Sequence, residues 1–120
     1  MAEGEPLVTG KILIGEDAQP FTGATVYVRL EDVSYADAPS RVVAEQVIPN
    51  VSYEADAGHE PEFALHGDIP DERGTYAVRV HVDLHGEGRV QRGDYVSTES
   101  YPVLTFGQPK EVSVRVREVK

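Results

Sequence analysis

The 120 residues include no cysteine and no tryptophan, and only one methionine. Without cysteine there is no disulfide framework, no thiolate metal site and no cysteine nucleophile. Positive charge is scarce as well: 11 Lys and Arg stand against 21 Asp and Glu, a formal charge of −10. A nucleic-acid binder needs a basic surface to release counterions from phosphate, so this balance argues against one. No apolar run approaches the length that spans a membrane. The opening Met1-Ala2-Glu3-Gly4-Glu5-Pro6 is acidic and polar, with neither the basic start nor the apolar stretch of a secretory leader. As it stands the chain is therefore expected in the cytoplasm. An export segment ahead of it would make it periplasmic or attached to the outer membrane.

Catalytic signatures are missing too. There is no Gly-x-Ser-x-Gly elbow, no His-Glu-x-x-His and no phosphate-cradling glycine loop, and none of the serines has activating neighbours. The expectation is a protein that is not an enzyme and that carries no cofactor.

What the chain does have is alternation. In Ala24-Thr25-Val26-Tyr27-Val28-Arg29-Leu30-Glu31, every second residue is apolar. Tyr76 to Leu84 repeats the pattern, with Tyr76, Val78, Val80, Val82 and Leu84 facing in and Ala77, Arg79, His81 and Asp83 facing out. Val112, Val114 and Val116 alternate with Ser113, Arg115 and Arg117. Period two with β-branched residues indicates strands with one buried face. Weaker strands are expected at Val8–Ile14, Val42–Ile48, Glu62–His66, around Val90 and at Val103–Leu104. The breaks are turn-rich, as in Gly15-Glu16-Asp17, Pro49-Asn50, Gly86-Glu87-Gly88 and Gly93-Asp94. No amphipathic run is long enough for a helix. The fold expected is all-β: a single-domain antiparallel β-sandwich of seven or eight strands over residues 8–119, with residues 1–7 as a flexible N-terminus.

Three sets of residues stand out chemically. His81, Asp83 and His85 occupy alternate positions of one strand, and imidazole and carboxylate suit Zn²⁺ or Cu²⁺. Their spacing of about 6.5–7 Å along a strand is wide for three ligands of one ion, so a solvated outward face is the plainer reading. Asp32, Ser34 and Asp37 are short polar residues able to bond nearby backbone and shape the loop after the second strand. Loop tyrosines Tyr35 and Tyr101, with Val103 and Phe106, are candidates for a recognition surface, since a tyrosine joins an apolar body to a polar tip.

The stretch Leu30-Glu31-Asp32-Val33-Ser34-Tyr35-Ala36-Asp37-Ala38-Pro39 resembles the bacterial pilotin-like lipoproteins, the YscW/YbaY-like type III secretion lipoprotein chaperones. The similarity runs in order along residues 8–119. It includes Gly10 and Ile12, Glu45-Gln46, Pro61 with Phe63, Gly93-Asp94, and Thr98-Glu99-Ser100-Tyr101-Pro102-Val103-Leu104-Thr105. Such a resemblance implies a small β-sandwich without enzymatic activity, whose pilotin members bind a secretin subunit and aid its placement. The His-rich and Gly-rich His81–Arg92 stretch departs from that pattern, as does the absence of an acylated cysteine.

The leading expectation is thus a non-enzymatic binding domain. It would take up an extended protein segment, or a secretin-like subunit, at an exposed strand edge near Val42–Ile48 or Val103–Phe106. Metal or small-ligand binding at His81, Asp83 and His85, and a purely structural interaction domain, are the alternatives.

Overall fold

A computed structural model of the chain describes residues 6–14, 18–34, 39–54, 61–67, 73–86, 88–99, 101–104 and 110–120. The alternating runs form strands: β1 (Val8–Ile14), β2 (Phe21–Asp32), β3 (Arg41–Tyr53), β4 (Glu62–Leu65), β5 (Tyr76–Asp83), β6 (Tyr95–Ser97), β7 (Pro102–Val103) and β8 (Glu111–Glu118). No helix occurs among the described residues, and so none is long and apolar enough to cross a membrane.

All eight strands belong to one sheet. Its order is β3-β2-β5-β6-β8-β1-β4, with β7 pairing β5 beside β6. The two terminal strands approach each other as the sheet curls, and the Gln46 side chain of β3 accepts the Ala64 N–H of β4 at 2.8 Å. The all-β domain of eight strands expected from the sequence is therefore present, as a nearly closed barrel rather than two separate layers. Period two specifies a hidden face; it does not say whether that face meets a second sheet or the far side of its own, because both bury every second side chain. Pairing is antiparallel except between β1 and β8, which run parallel from Thr9↔Glu111 to Ile14↔Val116.

The interior is filled by aliphatic side chains. Ile12, Val28, Leu30, Leu65, Val103 and Val114 are completely buried, and Val78, Val80 and Val82 are nearly so. Each fully buried side chain of this kind contributes roughly 1.5–3 kcal/mol. Gly10 shares the inward parity of Val8 and Ile12 but has no side chain, and the Phe63 ring of the neighbouring β4 occupies the space. A Cβ on Gly10 would stand 2.0 Å from the Val112 carbonyl oxygen and 2.6 Å from that ring.

Two local expectations change. Val90 belongs to no strand; it is 53 % exposed in the β5–β6 connection. The strand there is β6, three residues long, which follows Gly93-Asp94 and was too short for a periodic signal. β3 is longer than its apolar run, and its pairing with β2 shifts register at Phe21/Ala24, Ala24/Val26 and Leu30/Glu31. These irregularities explain its mixed inward parity. Ala44 is buried, while Val42 and Val47 are 53 % and 47 % exposed. Leu7 adjoins the barrel, donating its N–H to the Leu65 carbonyl at 2.7 Å, and residues 1–5 lie outside the described residues.

Candidate functional site

The outer face of β2 and β5 was expected to be solvated, and at His81 and Asp83 it is not. Parity is as read: both side chains point away from the core valines. Yet His81 is 6 % exposed and Asp83 1 %. The cover is the β5–β6 connection, described over residues 84–86 and 88–94, which folds back over the outside of the sheet. Tyr27 covers His81 from β2, its ring stacked at 5.7 Å between centroids. A sequence pattern reports which face a residue takes, not whether a loop later returns over it.

Two buried carboxylates hold that loop. Asp83 accepts the N–H groups of His85 and Gly86 at 3.0 Å each and of Gly88 at 2.8 Å. Gly86 and Gly88 have φ of 76° and 79°, left-handed values that glycine adopts without strain. Burial pushes the Asp83 carboxyl up, but the bonds from Gly88, His85 and Gly86, with the nearby His81, outweigh it and hold the pKa below the ordinary 3.8. Asp94 closes the loop from its far end. It accepts Leu84 N–H at 3.0 Å and Gln91 N–H at 3.1 Å, and its Oδ2 lies 2.8 Å from His81 Nε2. His85 bonds the Arg92 carbonyl at 3.2 Å through Nε2, with the same atom 3.6 Å from Asp94.

The structure thus brings His81 and Asp83 together with Asp94, not with His85 alone. Ligand-capable atoms of His81, Asp83 and Asp94 all lie within 4.8 Å of one another. From the sequence Gly93-Asp94 reads as a turn and as part of the family pattern, and nothing in its spacing links Asp94 to His81.

The other sequence candidates are dispersed. Asp32 Oδ1 accepts both Ser34 N–H, at 3.0 Å, and Ser34 Oγ–H, at 2.6 Å, and these two bonds hold the Asp32 carboxyl below its usual pKa. Ser34 Oγ in turn accepts Thr75 N–H at 2.9 Å, tying the end of β2 to the start of β5. Tyr101 accepts Arg115 N–H through its hydroxyl at 3.0 Å, and its carbonyl accepts Val78 N–H at 3.0 Å. Val103 is completely buried in the core. Tyr35, Asp37 and Phe106 lie outside the described residues.

The edges of the sheet are the remaining feature. Among the described strands, β3 pairs only β2 and β4 pairs only β1. Where the two edges face each other, an open groove of about 680 Å³ is walled by Lys11, Gln46, Glu62 and Ala64.

The family model for the type III secretion system lipoprotein chaperone (YscW) matches residues 3–116. The chain belongs to this family. A solved structure, an alternative pilotin from the type II secretion system of Vibrio cholerae, superposes with a TM-score of 0.72 at 27 % identity, over 94 % of this chain and 96 % of that one. A search of curated proteins gave no match. Membership of a chaperone family supports a non-enzymatic, protein-binding role, in line with the absence of catalytic motifs.

Proposed function

We propose that this family member binds an extended segment of a secretin-like subunit by strand addition along the outer edge of β3. The observation that carries the reading is that β3, from Arg41 to Ile48, has a main-chain ladder on one side only; on the other side β4 is reached through the Gln46 side chain, and a docked segment would take the place of that contact. Main-chain bonds at such an edge give affinity, and side-chain contacts on alternate positions give selectivity. Val42 and Val47 are exposed on this strand, and apolar side chains on an open edge invite pairing rather than guard against it. Farther along, Pro49 and the bulge at Asn50 (φ 56°) interrupt the edge and limit the docked length. The Val103 edge is the weaker candidate, since that residue faces the core. A family described as a lipoprotein chaperone supports a periplasmic or outer-membrane setting.

The lack of cysteine makes the test direct. Single-cysteine variants Val42→Cys and Val47→Cys, carrying a short photo-crosslinker in the native host, are expected to capture a secretin subunit. Arg117→Cys, exposed on β8 where that strand pairs with β6 and away from the groove beside β3, is expected not to. Equal capture at Arg117, or none at either valine, overturns the reading.

Metal binding is a second reading, supported by the convergence of His81, Asp83 and Asp94. A bound ion has to displace backbone N–H groups already held by both carboxylates. Titration calorimetry with Zn²⁺ and Cu²⁺ decides it, and the absence of heat ends it.

A further inference from the structure

The outer face of β2, β5 and β6 carries a second recess, of about 340 Å³, between the sheet and the returning β5–β6 loop. Its lining includes Tyr27, Arg29, Arg79, His81, Arg89 and Val90. This is an unusual grouping for this chain, which has only 11 Lys and Arg and a formal charge of −10. Three arginines converge on one recess while acids dominate overall.

The register explains the convergence. Arg29 of β2 lies opposite Arg79 of β5, and Tyr27 lies opposite His81 one row along. Like charges directly opposite one another destabilise a sheet unless something offsets them. Here Arg29 is paired with Glu45 and Arg79 with Glu31, at 2.5 and 3.2 Å. The Arg29 guanidinium also lies 5.3 Å from the centre of the Tyr27 ring. Their side chains remain 36 % and 67 % exposed. A guanidinium has five donors in a planar fork, so one ion pair through Nε leaves capacity for a second carboxylate. Alongside the charges lie the Tyr27 ring and exposed Val90, which offer apolar contact next to cationic groups.

We propose that this recess receives an acidic peptide segment, a carboxylate side chain flanked by aliphatic residues, with Arg79, Arg89 and Arg29 holding the carboxylate and Tyr27 and Val90 the aliphatic part. The volume is at the low end for ligand cavities, roughly 300–1,000 Å³, which suits one or two side chains of a docked segment. The site is distinct from the β3 edge and stands or falls independently of it. Because its donors are charged and partly exposed, binding weakens as salt rises.

The test is titration of isotope-labelled protein, followed by amide chemical shifts, with two blocked peptides: acetyl-Leu-Asp-Leu-Glu-Leu-amide and its neutral counterpart acetyl-Leu-Asn-Leu-Gln-Leu-amide. The acidic peptide is expected to give saturable shifts, at about millimolar concentration or below, centred on Tyr27, Arg79, Val90 and Val96. The neutral peptide is expected to bind about tenfold more weakly, the loss of one charge-assisted contact. Arg89→Gln and Arg79→Gln should each weaken the acidic peptide by a similar factor, with unchanged circular dichroism. Lys110→Gln should leave it unaltered. Equal binding of the two peptides, shifts that map elsewhere, or shifts produced as strongly by acetate alone overturn the proposal.

Discussion

β5 and β3 flank the same strand, β2, yet they are built by opposite means. β5 pairs on both sides, with β2 and with β6 and β7. Its inner valines are in the core, and its outer residues His81 and Asp83 are sealed by a loop that two carboxylates hold. β3 pairs on one side, shifts register three times and leaves two valines in water. The lesson is that β-branched content does not by itself mark the stable part of a sheet. Pairing on both edges and satisfied polar groups do, whereas an edge strand with the same residue types has a main-chain ladder on one side only.

That contrast breaks most decisively at Asp83. Replacing it with Ala strands the N–H groups of His85, Gly86 and Gly88, and a loss of about 3 kcal/mol is expected in urea denaturation. Replacing Glu45, the exposed ion-pair partner on β3, with Ala should cost no more than about 0.5 kcal/mol. Comparable losses at the two sites would erase the distinction.

Acid sharpens the same point. The folded Asp83 carboxyl has a lowered pKa, so its stabilising effect is full above the unfolded value near 3.8 and disappears as pH falls through the lower folded value. The stability gap between the wild-type chain and Asp83→Asn should hold constant from neutrality to about pH 5 and shrink below the ordinary carboxylate range. A gap that grows on acidification contradicts the hydrogen-bond account.

A smaller effect compares two valines. Val80→Ala, in the core, should lose about 2 kcal/mol, whereas Val47→Ala should stay within about 0.5 kcal/mol. Thermal denaturation of the two variants gives the difference directly. Smallest is the expected difference in amide exchange. Amides of β3 that face away from β2 should exchange at least about tenfold faster than those of Val78, Val80 and Val82. Uniform protection across both strands would mean that something other than β2 covers the edge.

Why the sequence disclosed one side of this contrast and not the other is a matter of range. Alternation at Val26, Val28 and Leu30, and again at Val78, Val80 and Val82, is a local property, and it located β2 and β5 together with their buried face. The enclosure of His81 depends on Asp94, thirteen residues away, and on Tyr27 in another strand, so no local pattern contains it. The parallel pairing of β1 with β8 is similarly invisible, because both strands alternate as antiparallel strands would. Gly10 was noted for its place in the family pattern, while its physical role, making room for Phe63, emerged only once β4 lay beside β1. Asp32 and Ser34 were legible because a short polar side chain bonds backbone within a few residues of itself, and that chemistry is sequence-local.

The pairing of the first strand with the last has a mechanical meaning. Because β1 and β8 run the same way, the chain enters at one end of the barrel and leaves at the other. A force applied between the two termini therefore pulls the strands lengthwise past each other. The six paired positions from Thr9 to Ile14 share that load in shear and give way together, where an antiparallel pair pulled apart at one end would open like a zip. A domain joined this way is suited to transmit tension from one attachment to another without unravelling.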